Sequence, residues 1–333
     1  MMLLDACLLL SFMLDINSAC RALDAATRFA IFNDIMLLEN QIPLWILKRL
    51  ATSIYGDGNI IAEGKTYSSW EELLGEFCKQ TVYWGSLRKA IEIGSSDEDY
   101  LHLLQLYWEV HVSGYNTGRH NAVATPSTCS QKYFRCAAVS TKERKVDVNS
   151  FRSVRDLKSK GIWFKPSSQQ TLRGIKFKSY CLFAQLELPP LFIDAGMPVL
   201  YANVIAYEMS NTGSWAVALE ITNYVNFLKS LVISAGDVKE LREQEILFNC
   251  LGTDEEANKV LQEIPAGRIF SFGNILNVAL KIQQHTSSKK RIFLAELFWT
   301  HFSSPWSFMT LLVAIVLLGL TLAQTYFTIY PRK

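Results

Sequence analysis

The sequence has no pair of cysteines in C-x-x-C spacing; its seven cysteines, at 7, 20, 78, 129, 136, 181 and 250, are odd in number and scattered. That excludes zinc-ribbon spacing and offers no disulfide framework, so a reduced, cytosolic setting is the simpler reading. No N-x-S/T acceptor occurs, since Asn17-Ser18 is followed by Ala19, which fits a head kept out of the secretory lumen. No G-x-S-x-G, phosphate-loop, dinucleotide-binding glycine pattern or H-E-x-x-H is present, and with them go the usual motif grounds for an enzyme. Charge is scarce: 19% of residues are Asp, Glu, Lys or Arg, with a formal net charge of +2. No overall polyelectrolyte partner is implied by so small a balance.

Apolar residues are abundant instead. Half of the 333 residues are hydrophobic, enough for one large domain or two small ones, and the mean hydropathy is +0.12. Part of that excess lies at the end, where no charged residue occurs from Phe302 to Tyr330. A helix needs about 20 residues to cross a ~30 Å hydrocarbon core, and residues 306–327 meet that length. Within it Leu311, Leu312, Ile315, Leu318 and Leu320 supply the apolar surface. Pro305 suits the first helical position. Trp299 and Trp306 at one end and Tyr326 and Tyr330 at the other are suited to the water–lipid interface. Thr310, Thr321 and Gln324 are mild exceptions whose side chains can bond the backbone or sit near the interface. Lys289, Lys290 and Arg291 upstream against Arg332 and Lys333 downstream, three basic residues to two, lean toward a cytosolic head by the positive-inside rule. The expected arrangement is a head over 1–300, a single span over 306–327 and a short tail over 328–333. Plasma membrane and endomembrane both remain open. The N-terminal run MMLLDACLLLSFML lacks a basic flank and is bracketed by Asp5 and Asp15, so it reads as an amphipathic or buried helix rather than a signal peptide or second span.

The head reads as an α-dominated α+β fold with a small irregular β element. Residues 1–50 hold two or three helices, with Asn33 capping one through Leu38, and Pro43 interrupting the chain before Leu44–Leu47 resume. Ser68 with Glu71 forms a capping-box pattern, and an acidic turn after Ser96 opens a helix with an apolar stripe Leu101, Leu104, Trp108, Val112. Residues 113–150 lose periodicity and read as a long surface loop. A short helix over 154–158 stops at Gly161. Strands follow at 162–164, 175–183 and 186–193, the last broken by Pro189 and Pro190 into an edge or bend. Helices return at 199–209 and 215–233, and Thr253 with Glu256 is a second capping box. No tandem repeat is visible.

Several blocks carry a resemblance. DIMLLENQIPLWIL at 34–47, LELPPLFID at 186–194, NVIAYE at 203–208, ITNYVNFLKSLV at 221–232, LGTDEEA at 251–257 and HFSSPWSFMTLLVAIVLLGLTLAQT at 301–325 together resemble, in order, the plant family called domain of unknown function 247. The resemblance implies a plant protein of largely uncharacterised biochemistry with a C-terminal membrane helix. It also marks Glu39, Asn40, Gln41, Pro43, Pro189, Pro190, Asp194, Tyr207, Glu208, Asp254 and Glu255 as motif positions. Some members of that family are linked to grass self-incompatibility as pollen-side recognition determinants. Its members carry a further N-terminal segment before the part resembling MMLLDAC, so this chain is expected to be a shortened member or a truncated gene product.

Read from the residues alone, Glu39, Asn40 and Gln41 beside Pro43 are either a polar recognition site or, the preferred reading, partners for backbone groups freed at a helix break. Asp194, Tyr207 and Glu208 form a candidate polar cluster at a strand–helix junction, and acid–base chemistry there requires proximity and desolvation. A helix-terminus charge or a structural hydrogen bond is the simpler expectation. His102, His111 and His120 are nine apart, which turns neighbours to opposite helix faces. No metal site and no cofactor are expected.

Residues 132–178 hold thirteen Lys or Arg against three acids, and residues 237–263 hold eight acids against three bases. The basic stretch can touch anionic lipid headgroups, or it is a solvated loop neutralised by the acidic helices. No nucleic-acid motif accompanies it. The expected function is a non-catalytic, membrane-anchored recognition or signalling protein that meets the lipid bilayer and a protein partner. A membrane scaffold is the alternative, followed by an unrecognised hydrolase or transferase.

Overall fold

The computed structural model describes residues 2–14, 23–56, 59–62, 65–80, 101–113, 153–180, 183–210, 219–267, 274–287 and 305–329. Among these are twelve α-helices and seven short strands. Helices therefore dominate, and the β structure is confined to three small sheets, as the α-dominated reading expects. Of the loop expected over 113–150, Ser113 is the last residue of a helix and the rest lies outside the described residues, as do the helix start after Ser96 and the flanking Lys289, Lys290 and Arg291.

Helix α1 (Met2–Leu14) packs on α3 (Leu44–Tyr55) and α4 (Trp70–Gln80). It buries Ala6, Leu10 and Met13 and turns Leu3, Leu4 and Leu8 outward. Helix α2 (Ala25–Ile35) starts at Asp24, whose carboxylate accepts the Thr27 N–H at 2.6 Å. Asn33 thus closes this helix instead of opening the next: its carbonyl accepts the Met36 N–H at 3.1 Å. The apolar run that follows is the helix end and a 3₁₀ turn over Leu38–Asn40. Helix α3 resumes directly after Pro43, because a residue without an N–H is harmless where that N–H would have no helical partner.

The cap of α4 lies one residue beyond the expected pair. Ser69 Oγ accepts the Glu72 N–H at 3.2 Å, and the Glu72 carboxylate accepts the N–H and hydroxyl of Ser68, both at 2.7 Å. Glu71 faces Lys48 at 3.1 Å instead. Helix α5 (Leu103–Ser113) is also rotated from expectation. Its buried face is Leu103, Leu104, Leu106, Tyr107, Val110 and His111. Leu101 precedes the helix and is 60% exposed, whereas Trp108 and Val112 only flank the core.

Strands β1 (Ile60–Ala62) and β2 (Lys65–Tyr67) form an antiparallel pair. After α6 (Val154–Ser159), Gly161 at φ 79° admits the left-handed turn that stops the helix. Then β3 (Ile162–Pro166), β4 (Lys176–Ser179) and β5 (Ala184–Leu188) build a sheet in the order β3-β5-β4, with β3 parallel and β4 antiparallel to β5. Pro189 and Pro190 bend the chain out of that sheet into β6 (Leu191–Ile193), which pairs in parallel with β7 (Leu247–Asn249). This is the bend the prolines require, since neither can donate to a ladder.

Helix α7 (Met197–Ser210) is the hub. It packs against α5, α8 (Glu220–Leu231), α10 (Asp254–Glu263) and the turn at Leu38–Asn40, and it buries one broad face, Met197, Leu200, Tyr201, Val204, Ile205, Tyr207 and Glu208, while Val199 and Met209 on the other side stay exposed. Helix α9 (Ala235–Glu243) packs on α6 and α10, and α11 (Asn274–Thr286) on α8 and β4. Helix α12 (Pro305–Ile329) has a mean hydropathy of 1.9 over Met309–Tyr326, and none of that window is buried. Leu104 is fully enclosed between these layers. Leu104→Ala is expected to destabilise the head by about 2–5 kcal/mol, read by thermal circular dichroism in detergent. An unchanged melting temperature would show that α5 is not packed as described.

Candidate functional site

The residues around Pro43 act as stitching. Gln41 Nε2 donates to the carbonyls of Ile35 and Leu37 at 2.9 and 2.7 Å, and its Oε1 accepts the Leu104 N–H at 3.0 Å. One side chain thereby ties the end of α2, the 3₁₀ turn and the start of α5. Asn40 donates to the Asp34 carbonyl at 3.3 Å, and the Leu38 N–H donates to Asn203 Oδ1 of α7 at 2.8 Å. Glu39 is exposed. Buried or half-buried backbone groups at a chain reversal need partners, and these amides supply them.

Asp194 and Glu208 do not meet. They stand at the two ends of α7, roughly 20 Å apart at 1.5 Å per residue. This corrects the expected Asp194–Tyr207–Glu208 cluster. Asp194 accepts the N–H groups of Gly196 and Met197 at 2.8 and 3.0 Å, opening the helix, while burial pushes its carboxyl up despite those bonds. Tyr207 is buried, with the His102 ring edge-on at 5.2 Å.

Glu208 is 2% exposed and accepts four hydrogen bonds. Oε1 takes Trp108 Nε1–H of α5 and the Ile221 N–H, both at 3.0 Å. Oε2 takes the Thr222 N–H at 2.9 Å and its hydroxyl at 2.7 Å. A carboxylate offers about four acceptor sites, so all are used. The last turn of α7 thus holds the first turn of α8 and the middle of α5 through one charged group, at the end of α8 where free N–H groups and the helix dipole favour an anion. Trp108, Ile221 and Thr222 were not readable as partners, since nothing in local spacing links residues 100, 13 and 14 positions away.

Two further titratable groups belong to this region. Glu220 lies next to the bridge, and burial, with repulsion from Glu208, pushes its carboxyl up to about 7. His111 is buried against Tyr107 (stacked, 5.6 Å), Tyr201 and Tyr224. Neither ring nitrogen of His111 has a hydrogen-bond partner among the described residues, and burial pushes its pKa down to about 4.

Asp254 lies in the first turn of α10, where Arg242 grips it through Nε at 3.1 Å and Nη2 at 3.0 Å. The guanidinium holds the Asp254 carboxyl below its usual range. The expected capping box is present, with Thr253 Oγ1 accepting the Glu256 N–H at 3.2 Å. Glu255 is exposed. Asp237, absent from the sequence reading, is a second saturated carboxylate, accepting from Arg155, Ile233 and Ser234 backbone and from the Ser234 hydroxyl. Its Ser234-to-Asp237 spacing was a legible cap signal.

On α12 the described side chains of Leu311, Leu312, Ile315, Leu318, Leu320, Gln324 and Tyr326 are all exposed. Thr321 and Thr325 donate to carbonyls four residues back at 2.7 and 2.8 Å. Pro305 begins this helix and Trp306 follows. Among the described residues no group of three or more His, Cys, Asp or Glu converges to hold a metal ion.

What is defined, then, is a helix-dominated head knitted by buried carboxylates, with a long apolar C-terminal helix. Residues 1–320 match the DUF247 family, described as plant protein of unknown function, and the chain belongs to it. It is 25% identical to the UPF0481 protein At3g47200 of Arabidopsis thaliana over 342 aligned residues, covering 98% of this chain and 66% of that protein. It is 25% identical to a second Arabidopsis thaliana UPF0481 protein, At3g02645, over 179 residues, or 54% of this chain and 33% of that protein. The chain thus spans just under two thirds of the length of the first of these relatives. No solved structure matches it.

Glu208→Gln places an NH₂ group opposite at least one N–H and is expected to cost about 1–3 kcal/mol. Trp108→Phe, which removes one of four donors, is expected to cost about 0.5–1.5 kcal/mol. Denaturant unfolding that ranks them in the opposite order would contradict the four-fold bridge.

The pH profile has two opposed limbs. Glu220, raised from an ordinary 4.5 to about 7, binds its proton more tightly when folded. Its contribution to stability is complete below about pH 4.5 and is lost as pH rises through 7. His111, lowered from 6.5 to about 4, contributes above pH 6.5 and loses that contribution as pH falls through 4. Glu220→Gln is expected to raise the melting temperature at pH 8 relative to the parent but not at pH 4.5. An equal shift at both pH values would remove Glu220 as the cause.

Proposed function

We propose that the protein is a single-pass, tail-anchored membrane protein whose head, residues 1–300, is a non-catalytic recognition or signalling module facing the cytosol. One observation carries this reading. Helix α12 is 25 residues long, about 37 Å at 1.5 Å per residue, and every described side chain on it from Met309 to Tyr326 is exposed. A helix apolar on all sides is stable in water only when buried by protein, and none of this window is. Bilayer hydrocarbon is the solvent that fits it, and the threonine back-bonds fit a medium without water to satisfy hydroxyls.

The non-catalytic part rests on the carboxyl groups at the motif positions. Glu208, Asp194 and Asp254 are all engaged as acceptors for backbone or side-chain donors. Such groups position helices. On this reading the motif residues maintain the head, and specificity lies on its exposed surfaces, where variation is tolerated. The partner is another protein held at the same membrane, and no cofactor is required.

Leu312→Arg with Leu318→Arg puts two charges mid-span, each disfavouring insertion by about 2.5–3.5 kcal/mol. The parent chain is expected to resist alkaline carbonate extraction from microsomes and the double variant to be extracted. Added protease should digest the head in sealed microsomes. A variant retained in the membrane to the parental extent would refute the anchor, and a protected head would refute the orientation.

A further inference from the structure

The outward face of the β3-β5-β4 sheet arranges its residues in three rows. Register pairs Lys176 with Glu187 and Glu187 with Lys165 in one row, and Lys178 with Gln185 and Gln185 with Trp163 in the next. Beyond them the Tyr180 N–H donates to the Phe183 carbonyl at 2.8 Å, which continues the pairing to a third row. Alternation along each strand sends Ile162, Phe164, Phe177, Ala184, Leu186 and Leu188 into the core. The named row residues therefore share the opposite face. Adjacent strands lie about 4.8 Å apart and alternate residues about 7 Å apart along a strand, so the rows form one continuous patch.

That patch is polarised. Its far row and middle row carry exposed rings: Tyr180, Phe183 and Trp163 are 44%, 47% and 46% exposed. Its other end is cationic. Lys178 pairs with Glu187 at 2.6 Å, whereas Lys165 and Lys176 are exposed and make no ion pair among the described residues. Lys158 adds its ammonium group 5.9 Å from the centre of the Trp163 ring and pairs with Glu240.

We propose that this sheet face docks the head on an anionic bilayer surface, with Lys165 and Lys176 meeting lipid phosphates and carboxylates and with Tyr180, Phe183 and Trp163 at the headgroup level. The proposal rests on the membrane tether argued above. The opposing charge follows from the two lysines without ion pairs, and exposed rings beside cations are the composition favoured at the water–lipid boundary. Single-stranded nucleic acid needs open ring faces on which bases can stack. Here the Tyr180 and Phe183 rings stack on each other at 4.7 Å, and Lys158 stands over Trp163. Each ring thus has one face already engaged, which leaves less open surface for stacked bases than such a platform offers.

The test uses the full chain in nanodiscs of phosphatidylcholine with or without phosphatidylserine, carrying a benzophenone amino acid in place of Tyr180 and irradiated in the presence of competing single-stranded RNA. Mass spectrometry reads the adducts. Lipid adducts are expected with phosphatidylserine, falling on the order of tenfold or more without it or in Lys165→Glu/Lys176→Glu, and recovering in Lys165→Arg/Lys176→Arg. Circular dichroism confirms that the variants fold. Lipid adducts indifferent to phosphatidylserine or to the two lysines, adducts to RNA or to protein instead of lipid, or none at all, overturn the proposal. Carbonate resistance of the same samples reports the α12 tether separately: if it is lost while serine-dependent adducts persist on added chain, the anchor fails and the sheet face stands.

Discussion

The head is organised around the cost of placing a charged carboxylate inside a protein. An uncompensated buried charge is unfavourable by several kcal/mol, and Glu208 lies almost wholly out of solvent. It is tolerable there because four donors from two other helices converge on it. The constraint works in both directions: wherever α7 ends, α8 must begin and Trp108 of α5 must point inward. Asp237 imposes the same rule between α6 and the start of α9. Apolar burial supplies most of the driving force, but it is non-directional. The two carboxylates fix which helix ends face each other.

What the sequence made legible is governed by distance along the chain. The Thr253–Glu256 capping box, the stop at Gly161, the restart after Pro43 and the bend at Pro189–Pro190 depend on residues within about four positions, and each stands where the local chemistry puts it. The displaced cap at Ser69–Glu72 and the rotated face of α5 are one-position errors of the same local kind. Two serines precede two glutamates at 68–72, and spacing alone does not choose between them. In α5 the apolar residues Leu103, Leu104, Leu106 and Tyr107 admit more than one stripe, and packing on α7 and α8 selects the one that is buried.

The rest was not legible, because it is set by partners far apart in the chain. Motif positions Asp194, Tyr207 and Glu208 looked like a cluster because they are close in sequence, yet a helix of 14 residues carries its two ends apart. Conversely, the parallel pairing of β6 with β7 joins residues more than fifty positions apart. Three-residue strands carry too little alternation to announce themselves. The sheet patch was visible only as an excess of lysine and arginine over 132–178. Register divides that excess into cations beside exposed rings and cations consumed in ion pairs, and composition cannot make that division.

Tethering changes how strong a surface contact has to be. On the proposed reading, a head held at a bilayer by α12 would sample that surface at an effective concentration set by the connection, on the order of millimolar for short flexible links. At that concentration a contact too weak to detect between free molecules is occupied much of the time. The proposed patch of two lysines and three rings would then need only modest affinity to bias the orientation of the head. Such a patch should also be sensitive to salt, since exposed charges are screened beyond about 8–10 Å at physiological ionic strength. The bridge at Glu208, which is buried, should not be. Internal order and external orientation thus rest on charges in two different dielectric settings. In the proposed arrangement, ionic conditions would shift how the head meets a bilayer without loosening the helices that form it.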